Sequence, residues 1–73
     1  MEHPGERLKQ LRAEKGLTVR EVSQRAEGVF TGSYVSNLET GISSWNKASL
    51  DVVKGYARAF DMSVEDLIAF VEN

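Results

Sequence analysis

Gly32, Ser33, Ser36, Asn37 and Thr40 recur at spacings of one and three residues, which gathers them on one face if the stretch is helical. Hydroxyls and a carboxamide can donate and accept against base edges in the major groove of duplex DNA. A solvated face with no further duty usually carries Lys, Glu and Arg, which favour helix and solubility, so a face of Ser, Asn and Thr gives up helix propensity. The same composition also describes a plain polar surface helix. Other chemistry lacks its residues. The chain has no cysteine, which removes disulfides, thiolate metal sites and cysteine nucleophiles together. Its one histidine, His3, lies near the chain start without the partners that a metal or catalytic site needs. No titratable pair stands at catalytic spacing on a predicted face, so neither an enzyme nor a cofactor is expected.

The elements that must hold that face can be read from their ends. Thr18 precedes an apolar-periodic run and Glu21 follows three residues later, a capping box, with Leu17 and Val22 placed as a hydrophobic staple. A second helix therefore starts near Val19 and ends near Ala26 or Glu27, with Val19, Val22, Ser23 and Ala26 on a narrow inner face and Gly28 free to turn left-handed just beyond. Thr31 caps a third helix, residues 32 to 40, with Phe30 and Val35 as its staple, Val35 and Leu38 (with Tyr34 beside them) as its buried stripe, and Gly41 as its stop. The helix between Glu6 and Lys15 precedes them, with Pro4 pre-set for a first turn, Leu8 and Leu11 inward and Gly16 as terminator.

Downstream, Ser49 caps a fourth helix, Leu50 to Phe60, whose core face reads as Leu50, Val53, Ala57 and Phe60 with Tyr56 at its border. Gly55 in mid-helix costs about 1 kcal/mol relative to alanine, which predicts another backbone close by. Ser63 and Asp66 cap a fifth helix, stapled by Met62 and Leu67, with Val64, Leu67, Ile68 and Val71 on one side and Phe70 at the stripe's edge. At 73 residues, 41% of them hydrophobic, this is one domain with its core between about residues 5 and 71. There is no signal peptide, lipidation motif or apolar run of membrane-spanning length, which predicts a soluble, cytoplasmic chain with no membrane contact.

Three runs in order, Leu8 to Thr18 (Leu-x-x-Leu-Arg-x-x-x-Gly-Leu-Thr), Tyr34 to Gly41 (Tyr-Val-Ser-x-Leu-Glu-x-Gly) and Ala57 to Ser63 (Ala-x-x-Phe-Asp-Met-Ser), resemble the Cro/repressor-type (XRE, lambda-repressor-like) helix-turn-helix regulators of bacteria and phage. The likeness extends from about Glu6 to Phe70. It implies an all-α, compact five-helix bundle whose second and third helices form the helix-turn-helix, with the third in the major groove of double-stranded DNA. By that resemblance the chain is a sequence-specific transcriptional regulator, repressor-like, working as a homodimer on DNA, and the same fold serving as an antitoxin-like or assembly partner is the alternative. Base contacts fall to Gly32, Ser33, Tyr34, Ser36 and Asn37. Phosphate contacts fall to Thr18, Arg20, Thr40, Ser43, Asn46 and Lys47, since the family holds phosphates with the loop after its third helix. Arg12 and Glu39 match a family pair that ties the first helix to the third. Trp45 reads as a lid on the core or as an exposed contact, and with Phe70 it is a candidate dimer contact.

Charge and loop length depart from the pattern. The net charge is -2, yet five cations (Arg7, Lys9, Arg12, Lys15, Arg20) face two anions between Gly5 and Arg20, while residues 49 to 73 hold two cations and five anions. Thr31 to Ala48 contains only Glu39 and Lys47, so the reading surface is near neutral and steering toward DNA is modest. The stretch Glu27 to Thr31 is longer than the three to four residues usual for this turn, which leaves the angle of the third helix open. Val19 stands where the family favours a glutamine that braces the phosphate backbone, a task that passes to Thr18 or Arg20.

Overall fold

Side-chain caps start the helices where the sequence places them. In the computed structural model, which describes residues 3–72, the Thr18 hydroxyl accepts from the Glu21 N–H at 3.1 Å and the Glu21 carboxylate accepts from the Thr18 N–H at 2.9 Å. The Thr18 N–H, and after it the Thr18 hydroxyl, favour the charged carboxylate and lower the Glu21 pKa. Thr31, Ser49 and Ser63 accept in the same way from Tyr34, Val52 and Asp66. The helices that result are α1 (Pro4–Glu14), α2 (Val19–Arg25), α3 (Gly32–Thr40), α4 (Leu50–Phe60) and α5 (Val64–Glu72), with a short 3-10 helix at Trp45–Lys47 and no strand among the described residues. The first helix starts two residues earlier than expected because His3 is its N-cap. The His3 Nδ1 accepts from the Gly5 N–H at 3.1 Å.

The helices close round one core of Leu8, Leu11, Val22, Val35, Leu38, Tyr56, Phe60, Leu67 and Val71 with their neighbours. Full burial of each large apolar side chain contributes about 1.5–3 kcal/mol. Helix α3 lies against α1 and α2, α4 packs on α2 and α5, and α5 returns to α1. The last closure is reinforced by Arg7, whose Nε donates to the Phe70 carbonyl at 3.0 Å while its guanidinium lies 4.2 Å from the centre of the Phe70 ring.

The expectations for Leu50, Tyr56 and Gly55 are corrected, and the two readings of Trp45 are decided. Leu50 is 61% exposed, and Tyr56, expected at the border, is buried at the centre, while Ala57 and Phe60 are buried as expected and Ala59 joins them. Leu50 is the first residue of α4 and projects beyond its neighbours, where an apolar period alone gives no warning. Gly55 meets side chains rather than backbone: a Cβ there would come within 2.9 Å of the Phe30 ring and 3.3 Å of the Ala26 Cβ. Trp45 is 6% exposed, its indole edge-on to Tyr56 and its Nε1 donating to Glu72 at 3.2 Å, so it is the lid and not an exposed contact.

Candidate nucleic-acid interface

Helix α3 is held from behind by an ion pair that spans three parts of the chain. Arg12 on α1 donates from Nε to Glu39 Oε2 at 2.6 Å and from Nη2 to Glu39 Oε1 at 3.0 Å, while its Nη1 donates to the Leu17 carbonyl at 2.9 Å. The Glu39 side chain is 7% exposed and that of Arg12 17%. The two parallel bonds raise the Arg12 pKa above its ordinary value against the opposing pull of burial. One guanidinium therefore fixes the rotation of α3 relative to α1 and to the entry of α2.

The long turn is equally fixed. Glu27 and Gly28 both take left-handed backbone, at φ 56° and 80°. That reverses the chain so that Phe30 enters the core and stacks on Tyr56 with centroids 4.8 Å apart. The Ser23 hydroxyl donates to the Phe30 carbonyl at 2.7 Å, pinning the turn to α2, and Glu27 pairs with Arg58 on α4. The added length therefore forms a folded corner, and the angle of α3 is set by it. Where α2 and α3 cross, a Cβ on Gly32 would sit 3.3 Å from Val19 Cγ1 and 3.9 Å from the Arg20 Cα. The role expected for Gly32, close approach to bases, is thus shared with or replaced by close approach to α2. Val19, in turn, packs against the core and the start of α3.

Ser33, Ser36 and Thr40 are exposed on the outer side of α3 and Asn37 is half-buried among them, while Val35, Leu38 and Glu39 face inward. Tyr34 is half-buried, its ring 6.0 Å from that of Phe30, so only part of it faces out. The residues expected at phosphates flank this face. Thr18 and Arg20 are exposed at the start of α2 beside the N-terminal end of α3; Ser43, half-buried, and Asn46 and Lys47, both exposed, follow its C-terminal end. Their chemistry differs. The Thr18 hydroxyl accepts from the Glu21 N–H within the cap, at the exposed start of α2. Thr40 donates to the Ser36 carbonyl at 3.0 Å, so its proton is used inside the helix and it has none left for a phosphate oxygen. Thr40 is accordingly a weaker phosphate ligand than its position suggested.

The charge balance also changes with the geometry. Arg7 and Arg12, two of the five cations near the N-terminus, are turned to Phe70 and Glu39. Phe70 itself is half-buried beneath Arg7. Two residues that sequence reasoning missed stand out. Gly5, buried where α1 meets the end of α3, was signalled only by its place in the first turn after Pro4. Ile42 is 78% exposed just past the α3 stop, and its signal was an apolar residue outside every predicted stripe.

A short helix presented outward by a second helix across a fixed corner, on an all-α scaffold, defines the helix-turn-helix class. Residues 5–70 match the family described as a helix-turn-helix domain, and the chain belongs to that family. It is a DNA-binding domain of the regulator type at that level of description. The Cro/repressor-type likeness of its three sequence runs agrees with this match. No curated protein matches the chain. No helix among the described residues is long and apolar enough to cross a membrane.

Proposed function

We propose that the chain is a sequence-specific, repressor-like transcriptional regulator that lays α3 in the major groove of double-stranded DNA and acts as a symmetric homodimer on paired half-sites. The observation that carries this reading is the outer face of α3: small, neutral hydrogen-bonding groups, with its single charge, Glu39, turned inward on Arg12. Ser33, Tyr34, Ser36 and Asn37 read bases, Thr18, Arg20, Ser43, Asn46 and Lys47 hold phosphates, and no catalytic role, metal or cofactor is part of the proposal. Selection from random duplexes at low salt tests it. An inverted repeat with half-sites about 10 bp apart supports the dimeric reader.

Roles within the face separate by variant. Asn37→Ala is expected to cost about 1–3 kcal/mol at one base pair, by losing a bidentate contact to adenine. Lys47→Ala is expected to weaken every duplex alike and to flatten the salt dependence by about one unit of slope. Titration of both variants against selected and scrambled duplexes checks this, and equal losses on both duplexes for both variants refute it.

A second reading has its own observation. Val29 and Leu50 are 46% and 61% exposed. A shallow groove next to them is lined by Val29, Phe30, Tyr34, Lys47 and Val52 among others. Such a surface suits an antitoxin-like or assembly partner. Failure of selection to enrich any motif at any salt shifts the assignment to that protein-binding role.

A further inference from the structure

The groups missing from the outer side of α3 restrict what it can read. Guanine in the major groove is read by Arg or Lys at O6 and N7, and cytosine N4 by a carboxylate. The nine residues of α3 include no Arg or Lys, and the one carboxylate, Glu39, is held by Arg12. What faces out is a carboxamide, suited to adenine N6 and N7, and hydroxyls that serve either partner.

Ile42 extends this face. Gly41 turns the chain at φ +88° with its N–H donating to the Leu38 carbonyl, and the Ser43 N–H donates to the Asn37 carbonyl at 3.0 Å. Those bonds fold residues 41 to 43 back onto the last turn of α3, at the backbone carbonyl of Asn37. Ile42 between them has the largest exposure of any large hydrophobic residue described. An exposed apolar group on a turn anchored to the end of α3 is complementary to the 5-methyl group of thymine, the one apolar feature on base edges in the major groove.

Resting on the DNA-binding reading, we propose that the half-site is A·T-rich where α3 meets it and that Ile42 is a specificity-determining residue, packed against a thymine methyl while Asn37 reads adenine. Uracil differs from thymine only by that methyl, so thymine-to-uracil replacement, one position at a time in the selected duplex, isolates the contact. One replacement is expected to weaken binding about three- to fourfold, the value of one buried methyl group, and to have no effect on Ile42→Ala. Ile42 is exposed, so this variant leaves the fold intact, and circular dichroism on it confirms that before titration. A selected half-site built on G·C pairs opposite α3 overturns the proposal and leaves the DNA-binding reading standing. So does neutrality of every replacement, or an equal loss in Ile42→Ala. Absence of binding to any duplex overturns both.

Discussion

Arg12→Ala is expected to lower unfolding stability by about 3–5 kcal/mol, the cost of leaving the buried Glu39 carboxylate without its partner. A domain of this size has a total stability of roughly 5–10 kcal/mol, so the variant spends a measurable fraction of its time unfolded at room temperature. Glu39→Ala is expected to cost less, because Arg12 keeps its bond to the Leu17 carbonyl and is more exposed than its partner. The pair is a positional device more than a net source of stability. Arg12→Met combined with Glu39→Leu should therefore recover much of the loss, since apolar groups of similar volume often replace a buried ion pair at no net cost. Urea unfolding of the two single variants and the double gives the coupling energy directly. Unchanged midpoints in both single variants would remove the pair from the account of how α3 is held.

Gly5→Ala is expected to destabilise by about 3 kcal/mol, although alanine is the better helix former by about 1 kcal/mol. The added Cβ would lie 2.0 Å from the Leu38 carbonyl oxygen and 2.9 Å from that of Glu39. Both are backbone atoms of the last full turn of α3, which cannot yield without breaking the helix or pushing α1 away. Gly28→Ala makes the comparison. A Cβ there meets nothing within 4 Å, so only its left-handed φ of 80° opposes the change, at about 1–2 kcal/mol. Thermal or urea unfolding should rank Gly5→Ala well below Gly28→Ala. A reversed order would show that α1 can slide along α3 without penalty.

The starts of the helices were legible because caps are local: Thr18, Thr31, Ser49 and Ser63 each bind the amide three residues ahead, and that rule needs no knowledge of the fold. The Arg12–Glu39 pair was legible only through the likeness to a family, since 27 residues separate the two and no periodicity links them. The α4 stripe was misread at Leu50 and Tyr56 because a period fixes a helix's apolar side only to within a residue or so, and where its neighbours end decides which end residues are covered. Leu50 and Tyr56 exchanged roles for that reason. Gly5 and Gly55 were opaque in a different way. A glycine marks a close approach without naming what approaches, and here it was a helix end in one case and the Phe30 ring in the other. On the outer side of α3 the exposure of Ser33, Ser36 and Thr40 was legible because it follows directly from the inward placement of Val35 and Leu38, whereas the packing of Gly32 on α2 was not.

Trp45 gives the chain an intrinsic optical reporter. It is the sole tryptophan, boxed against Tyr56 and bonded to Glu72 at the far end of α5, so its emission registers whether the C-terminal helix is docked. It also shares a three-residue helix with Asn46 and Lys47, the side chains assigned to phosphate. A shift in its fluorescence when duplex is added would report engagement of that loop, without a label and in the same cuvette used to follow unfolding.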